Sequence, residues 1–371
     1  MTPTRLAVTM AAAAMIGARV PSVAHGLDAD VKPPTVLWSV AAEGWGQPAS
    51  DGRSVYFLTR SHDVVAVRAA DGEVRWRART QSSRGVPDGS RLVVAGGVVV
   101  AGDYDLYAFD ASTGRLRWRF APAQGHGPGY YLGDPADGVV YAGSPAGLVY
   151  AVDAASGAQL WAVPVTTVVG PTTAYAPVAT RDLVIAPFTV FDGRATGGVV
   201  ALDARTGVQR WRRAGQPWAG GPVAGGDFAV VATNSGMLTS LSTKDGSVRW
   251  TVGAPETAEG SVRDFRPLVC SRDLVVAGSL SGSVTAYDAG TRRRLWESAM
   301  LRLGSVGPAF AASAATVYVP FVSGRLVAFD LQTGAVRWVT APAQGAFRWA
   351  PVVADRAVYA AGDAVLQAFD R

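Results

Sequence analysis

The sequence predicts an all-β fold: an eight-bladed β-propeller of four-stranded blades, its ring closed by an N-terminal strand joining the C-terminal blade. Three observations predict it. The frame Ala108-Phe109-Asp110-Ala111-Ser112-Thr113-Gly114-Arg115-Leu116-Arg117-Trp118 recurs at residues 66–76, 151–161, 201–211, 240–250, 286–296 and 328–338. A proline recurs about once per repeat, at Pro48, Pro87, Pro135, Pro177, Pro222, Pro267, Pro308 and Pro351, mostly ahead of an apolar run broken by a polar turn. The two halves of one more frame stand at opposite ends of the chain: residues 35–40 carry Trp38 with no Ala-x-Asp before it, and residues 366–371 open the frame without reaching a Trp. Self-similarity at a fixed period is the signature of a repeat architecture.

Each position of the frame has a physical task. Asp110, Asp153, Asp203, Asp288 and Asp330 can accept hydrogen bonds from the N–H groups of a tight turn. Gly114 and its counterparts stand where a hairpin turn needs a positive φ. The sixth copy has Arg292 at that place, so its turn is expected to be the most distorted. A tryptophan offers a broad apolar face and one N–H to satisfy, which suits burial between stacked sheets. The small residue ten places earlier lets the indole approach. Trp38, Trp76, Trp118, Trp161, Trp211, Trp250, Trp296 and Trp338 are therefore read as docking residues, and they count eight blades.

Along the chain, residues 1–24 read as a secretory signal. Arg5 gives a positive start, residues 6–18 an apolar centre, and Ser22-Val23-Ala24 a small-residue cleavage site. The apolar run is short for a bilayer span, and no cysteine follows it, so neither a membrane anchor nor a lipid anchor is expected. Residues 25–34 are expected to form a flexible mature N-terminus, and residues 35–371 the propeller. The strand at 35–40 supplies the outer strand of a blade whose other three come from the C-terminus, and such closure removes free sheet edges. Each proline-led run, such as 352–362, reads as two short strands, and each frame ends a third and begins a fourth. Four strands in roughly 40–45 residues is propeller spacing, whereas a parallel β-solenoid would need shorter repeats and no closure.

The frame resembles the tryptophan-docking motif of the PQQ-like β-propeller repeat family, Ala-x-Asp-x-x-Thr-Gly-x-x-x-Trp, in which each blade is locked to its neighbour by the docked Trp. The resemblance covers nearly the whole chain after residue 34. It implies the architecture more than a cofactor, because many members of the family bind no quinone.

Composition bounds the function. Hydrophobic residues make up 49% and charged residues 17% of the 371, enough apolar surface for one large ring, and 43 glycines fit a chain rich in tight turns. The net charge of +5 is spread over turn arginines. Its densest cluster, Arg292-Arg293-Arg294, reads as a solvated turn, and no run interleaves basic and stacking residues as a nucleic-acid surface would. The one cysteine, Cys270, lies in a strand-like run and reads as an inert thiol. His62 and His126 sit in separate loops without a paired Cys or His at ligand spacing, and no serine lies in a Gly-x-Ser-x-Gly frame, so neither a metal site nor a catalytic site is expected.

In the usual propeller course, loops between blades share a face with each blade's second-to-third strand loop. The candidate binding face gathers there: Trp45, Tyr130, Tyr175, Trp218, Arg263, Phe265, Arg266, Arg348 and Trp349. Aromatics among arginines around a funnel suit an extended peptide or an anionic ligand; the alternative is that the aromatics only plug the channel and cap the blades. Residues 187–197 read as the longest loop on that face.

Two functions follow. One is an exported, non-enzymatic scaffold without a cofactor that binds a protein or peptide, acidic by the arginine argument. In size the chain is similar to the scaffold propellers of outer-membrane assembly, which the resemblance implies are lipoproteins. The other is a quinoprotein dehydrogenase holding PQQ and calcium. The resemblance implies for such enzymes a longer chain, often an adjacent cysteine pair, and convergent oxygen ligands; here there is one cysteine, with Asp134 and Asp264 at the mouth.

Overall fold

In a computed structural model, the structure describes residues 22–23, 31–82, 86, 90–122, 129–167, 170–192, 196–215, 221–233, 236–253, 265–271, 273–279, 281–298, 303–307, 309–343, 346–347 and 349–371. No helix occurs among them. They form eight blades, each a four-stranded antiparallel sheet built from the inside outward. Blade 2 shows the plan: Leu92–Ala95, Val98–Gly102, Leu106–Asp110 and Leu116–Phe120. The second strand is buried along its whole length and the third up to its closing Asp110, because each blade is covered on both faces by its neighbours.

The eighth blade closes the ring as expected. Its first three strands are Val352–Val353, Ala357–Ala361 and Val365–Asp370, and its outer strand is Val36–Ala41. Val36 pairs with Phe369 and Ala41 with Val365. The Asp370 N–H adds a bond to the Thr35 carbonyl at 2.9 Å. Most of the expected signal and of the expected flexible tail lies outside the described residues. Ser22–Val23 of that segment run parallel to the outer strand of blade 6, beside Glu297 and Ser298.

The docking frame works through three contacts. Within a blade, the small residue and the Trp are direct cross-strand partners, as in Ala108↔Trp118, next to a bulge that turns the indole outward from its own sheet. Among the described residues, the indole N–H of every docking tryptophan but Trp338 then crosses to the next blade and donates to the carbonyl that follows the turn aspartate position. Trp38 reaches Ala69 at 2.9 Å, Trp161 reaches Ala204 at 3.1 Å and Trp296 reaches Leu331 at 2.9 Å. Finally the ring lies against the turn glycine of that next blade. A Cβ on Gly114 would sit 2.7 Å from the Trp76 ring, so both the positive φ of 72° and the contact require glycine there.

The turn aspartates behave as read. Asp110 Oδ1 accepts from the Ser112 and Thr113 N–H groups at 3.1 and 2.9 Å, and Oδ2 pairs with Arg117 at 2.6 Å. The Ser112 hydroxyl, the Arg117 guanidinium and the Thr113 hydroxyl, in that order, also bond the carboxylate and hold it well below the usual carboxylate range.

Two expectations are corrected. The Arg292 turn is not distorted: its φ is 65°, its N–H reaches the Asp288 carbonyl at 3.0 Å, and Trp250 still docks on Ala289 at 2.7 Å. Six hydrogen-bonded positions over-determine the turn, so the arginine adopts the glycine conformation and stores the strain. The supposed long loop at 187–197 is mostly ladder. Leu183–Val190 and Thr196–Asp203 pair from Leu183↔Asp203 to Val190↔Thr196, because Val, Phe and Thr continue the strand pattern. Gly198 leaves room there for the Phe188 ring, which is 1% exposed.

Candidate functional site

The turns between third and fourth strands are committed to docking, which leaves the opposite face as the one free to vary. There the interblade loops and the second-to-third strand loops meet: the Trp45 N–H donates to the Leu58 carbonyl at 2.6 Å, and the Thr80 N–H to the His62 carbonyl at 3.0 Å.

On this face two of the predicted aromatics come together. Trp45, from the loop entering blade 1, meets Trp349, from the loop entering blade 8, edge to face with ring centroids 5.8 Å apart. Both rings are half-buried. The Trp349 indole N–H is buried without an acceptor. Over the outer side of Trp45 lies the Arg60 guanidinium, 4.3 Å from the ring centroid, on an exposed side chain with no acidic partner among the described residues. Sequence reading missed Arg60, because it belongs to the blade 1 loop 59–63 rather than to a blade entrance. The signal was the position: 59–63 lies in the class of loop that shares the face with Trp45.

The other candidates divide. Tyr175 and its neighbour Tyr131 form a second aromatic pair, 5.6 Å between centroids. Tyr130 sits in the core instead, 4% exposed between Phe120 and Tyr150, and burial pushes its phenol far above the ordinary range. Its hydroxyl has no acceptor. Phe265 and Arg266 begin the inner strand of blade 6, Phe265–Ser271, with side chains outside those described. Trp218, Arg263 and Arg348 lie outside the described residues, as do His126 and Asp264.

Inside the ring a cavity of about 270 Å³ is bounded by Gln47, Arg91, Asp134 and Pro351. Arg91 pairs with Asp134 and donates to the Leu132 carbonyl at 3.3 Å, while its Nε is buried without an acceptor. Asp134 Oδ1 is thereby engaged by a cation. Among the described residues no three His, Cys, Asp or Glu side chains converge as a cation would need. Cys270 is half-buried, and burial, with Asp273 adding, pushes its thiol up to about 11.

His62 has no Cys or His beside it, as its spacing in the sequence implies, but it does have a carboxylate partner. It is in fact tied to the neighbouring blade: its Nδ1 lies 2.7 Å from Asp103 Oδ2, and both residues are buried. Nothing in the local sequence pairs residues 41 positions apart; only blade stacking does.

Fold and site together define a protein of the PQQ-like β-propeller class, with eight closed blades and an aromatic and cationic loop face. The family model described as outer membrane protein assembly factor BamB matches residues 27–193, 105–282 and 195–371, and the chain belongs to that family. Outer membrane protein assembly factor BamB of Burkholderia pseudomallei is 33% identical over 172 residues, 45% of this chain and 42% of that protein. The same factor of Yersinia pestis is 25% identical over 211 residues, 54% of this chain and 53% of that protein, so the chain spans about half the length of the curated relatives it matches. The crystal structure of BamB from Moraxella catarrhalis superposes with a TM-score of 0.69 at 21% identity, covering 91% of this chain and all of that one, which shows the shared fold. A quinohemoprotein alcohol dehydrogenase of Pseudomonas putida is 30% identical over 150 residues, 37% of this chain and 20% of that enzyme.

Proposed function

We propose that the protein is an exported, non-enzymatic scaffold that holds an extended protein segment on its loop face, in the assembly of outer membrane proteins for which its relatives are named. The observation that supports this most is the Trp45–Trp349–Arg60 cluster. It is a partly open aromatic pair with a planar cation stacked on one ring and without an acidic partner among the described residues. Aromatic anchors beside an arginine are the composition of binding hot spots, and arginine presents a fork to a carboxylate while stacking on tryptophan. The preferred ligand is therefore an acidic segment with apolar side chains.

Titrating acidic and basic peptide pools against wild type and Trp349→Ala tests this. Tighter binding of the acidic pool, weakened by salt and by the substitution, supports the reading; preference for the basic pool overturns it. The dehydrogenase match raises a second reading, which is less well supported because no three carboxylate, His or Cys side chains converge among the described residues and the chain has one cysteine. A new absorbance band on mixing the protein with PQQ and calcium would reinstate the enzyme.

A further inference from the structure

The blade 1 loop 59–63 breaks a rule that four other blades keep. Where the second strand turns into the third, blades 3, 5, 6 and 7 place Gly147, Gly236, Gly282 and Gly324, with φ between 73° and 87°. Each glycine N–H closes the turn onto a carbonyl three residues back, such as Gly147 to Ser144 at 3.0 Å. Blade 1 makes the same turn, His62 N–H to the Thr59 carbonyl at 3.0 Å, with a histidine at φ 67°. Histidine enters the left-handed region more readily than most side chains, yet still at a cost that glycine does not carry. Something must hold it there.

What holds it is blade 2. Asp103 is fully buried, and its Oδ2 receives both His62 Nδ1 at 2.7 Å and the Thr80 hydroxyl at 2.6 Å, while Oδ1 takes the Tyr104 N–H at 2.8 Å. A carboxylate only accepts, so His62 Nδ1 is the donor. Thr80 also donates its backbone N–H to the His62 carbonyl at 3.0 Å, so the loop is gripped at backbone and side chain at once. Two residues before His62 stands Arg60, exposed and stacked on Trp45. Two residues is too short a span for Arg60 to move far while His62 stays pinned.

We propose that His62 is a positioning residue that, through Asp103 of the next blade, fixes the loop 59–63 so that Arg60 is held ready over Trp45 for a carboxylate of the bound segment. This rests on the loop-face reading above. Pre-organisation of this kind lowers the ordering cost of binding. It also explains why a strained histidine stands where glycine would serve the turn alone.

His62→Gly separates the two roles, since glycine keeps the left-handed turn and removes the pin, while Asp103 keeps its bonds from the Thr80 hydroxyl and the Tyr104 N–H. The probe is a fluorescein-labelled hexapeptide of alternating glutamate and phenylalanine, measured by anisotropy against the full chain. His62→Gly is expected to weaken binding about tenfold, a coupling of about 1.4 kcal/mol, with a melting temperature within a few degrees of wild type. Arg60→Ala should weaken it similarly, and the double variant no more than Arg60→Ala alone, because the pin acts only through Arg60. Hydrogen exchange should quicken across residues 59–63 in His62→Gly. His62→Gly binding like wild type, or losses that add in the double variant, would overturn the positioning role while Arg60→Ala still supports the face. Arg60→Ala binding like wild type would overturn the face itself, and the inference with it.

Discussion

Removing one docking tryptophan should cost far more than its single hydrogen bond, and Trp296 is the sharpest case. It is 2% exposed, stacks on Phe329 at 6.2 Å, lies against Gly334 and donates to the Leu331 carbonyl at 2.9 Å. Burying about 200 Å² of aromatic surface is worth about 5 kcal/mol at 25 cal/mol/Å², an upper value because the unfolded chain already hides part of it. Measured Trp→Ala losses in cores run about 3–5 kcal/mol, and the orphaned carbonyl adds about 1 kcal/mol. Trp296→Ala should therefore lose about 5 kcal/mol. Trp338 provides the control: it is half-buried and makes no indole bond to a carbonyl among the described residues, so Trp338→Ala should lose about half as much. Urea unfolding of both variants, followed by circular dichroism, gives the two values. A cost below about 1.5 kcal/mol for Trp296→Ala, or equal costs for the two, would refute docking as the main lock between blades.

Other outcomes follow from the same contacts. Arg292→Gly should stabilise by about 0.5–1 kcal/mol, because it relieves a left-handed arginine without touching the Trp250 bond; a loss in urea unfolding would show that Arg292 earns its place through its side chain. Deleting residues 35–40 opens blade 8 beside Val365–Asp370 and should cause aggregation or loss of cooperative melting, which light scattering and calorimetry would detect; deleting residues 25–30, which spares Val31 and its packing against the core of blades 6 and 7, should leave the melt unchanged. Acid should loosen the ring. Asp203, bonded by Arg210 and then by Thr206, has its carboxyl held below the ordinary 3.8 in the fold, as has Asp110. Their contribution is thus present above about pH 4 and is lost as pH falls toward the depressed values. The urea midpoint should hold steady from pH 7 to 5 and drop below 4, and Asp203→Asn should show a smaller drop; an unchanged drop would exclude that turn as a source.

The blade count, the docking tryptophans and the closing strand were legible because they follow from spacing alone. Trp38 without its Ala-x-Asp half and Phe369 without its Trp could be joined by counting. Distortion at Arg292 was not legible, since a residue's neighbours decide whether it yields or is forced, and six bonds force it. The extended hairpin of blade 4 was hidden by Pro187 and the glycines, which suggest a loop; the pairing Pro187↔Val199 accommodates the missing N–H. The site was legible only in part. Trp45 and Trp349 were found from their loop class, but Arg60 and the His62–Asp103 bond depend on which loops the ring brings together. Tyr130 was misleading for the opposite reason: one residue before Tyr131, it faces the other side of the strand start and enters the core.

The docking geometry also explains why function should gather on one face. In blades 1 to 7 the turn between third and fourth strands presents a carbonyl to one indole and, in most of them, a glycine to its ring, so that face is nearly the same in those blades. The opposite loops carry no such duty. They differ at each blade, from the short Asp103-Tyr104-Asp105 turn of blade 2 to the lengthened hairpin of blade 4, without any cost to the lock between blades. Loops freed from a structural role are where a repeat fold can acquire a specific partner. The side-chain bond from His62 to Asp103 fits that logic. It ties a variable loop to the next blade on the face where no docking tryptophan does so, and it does so at the loop that carries the exposed arginine.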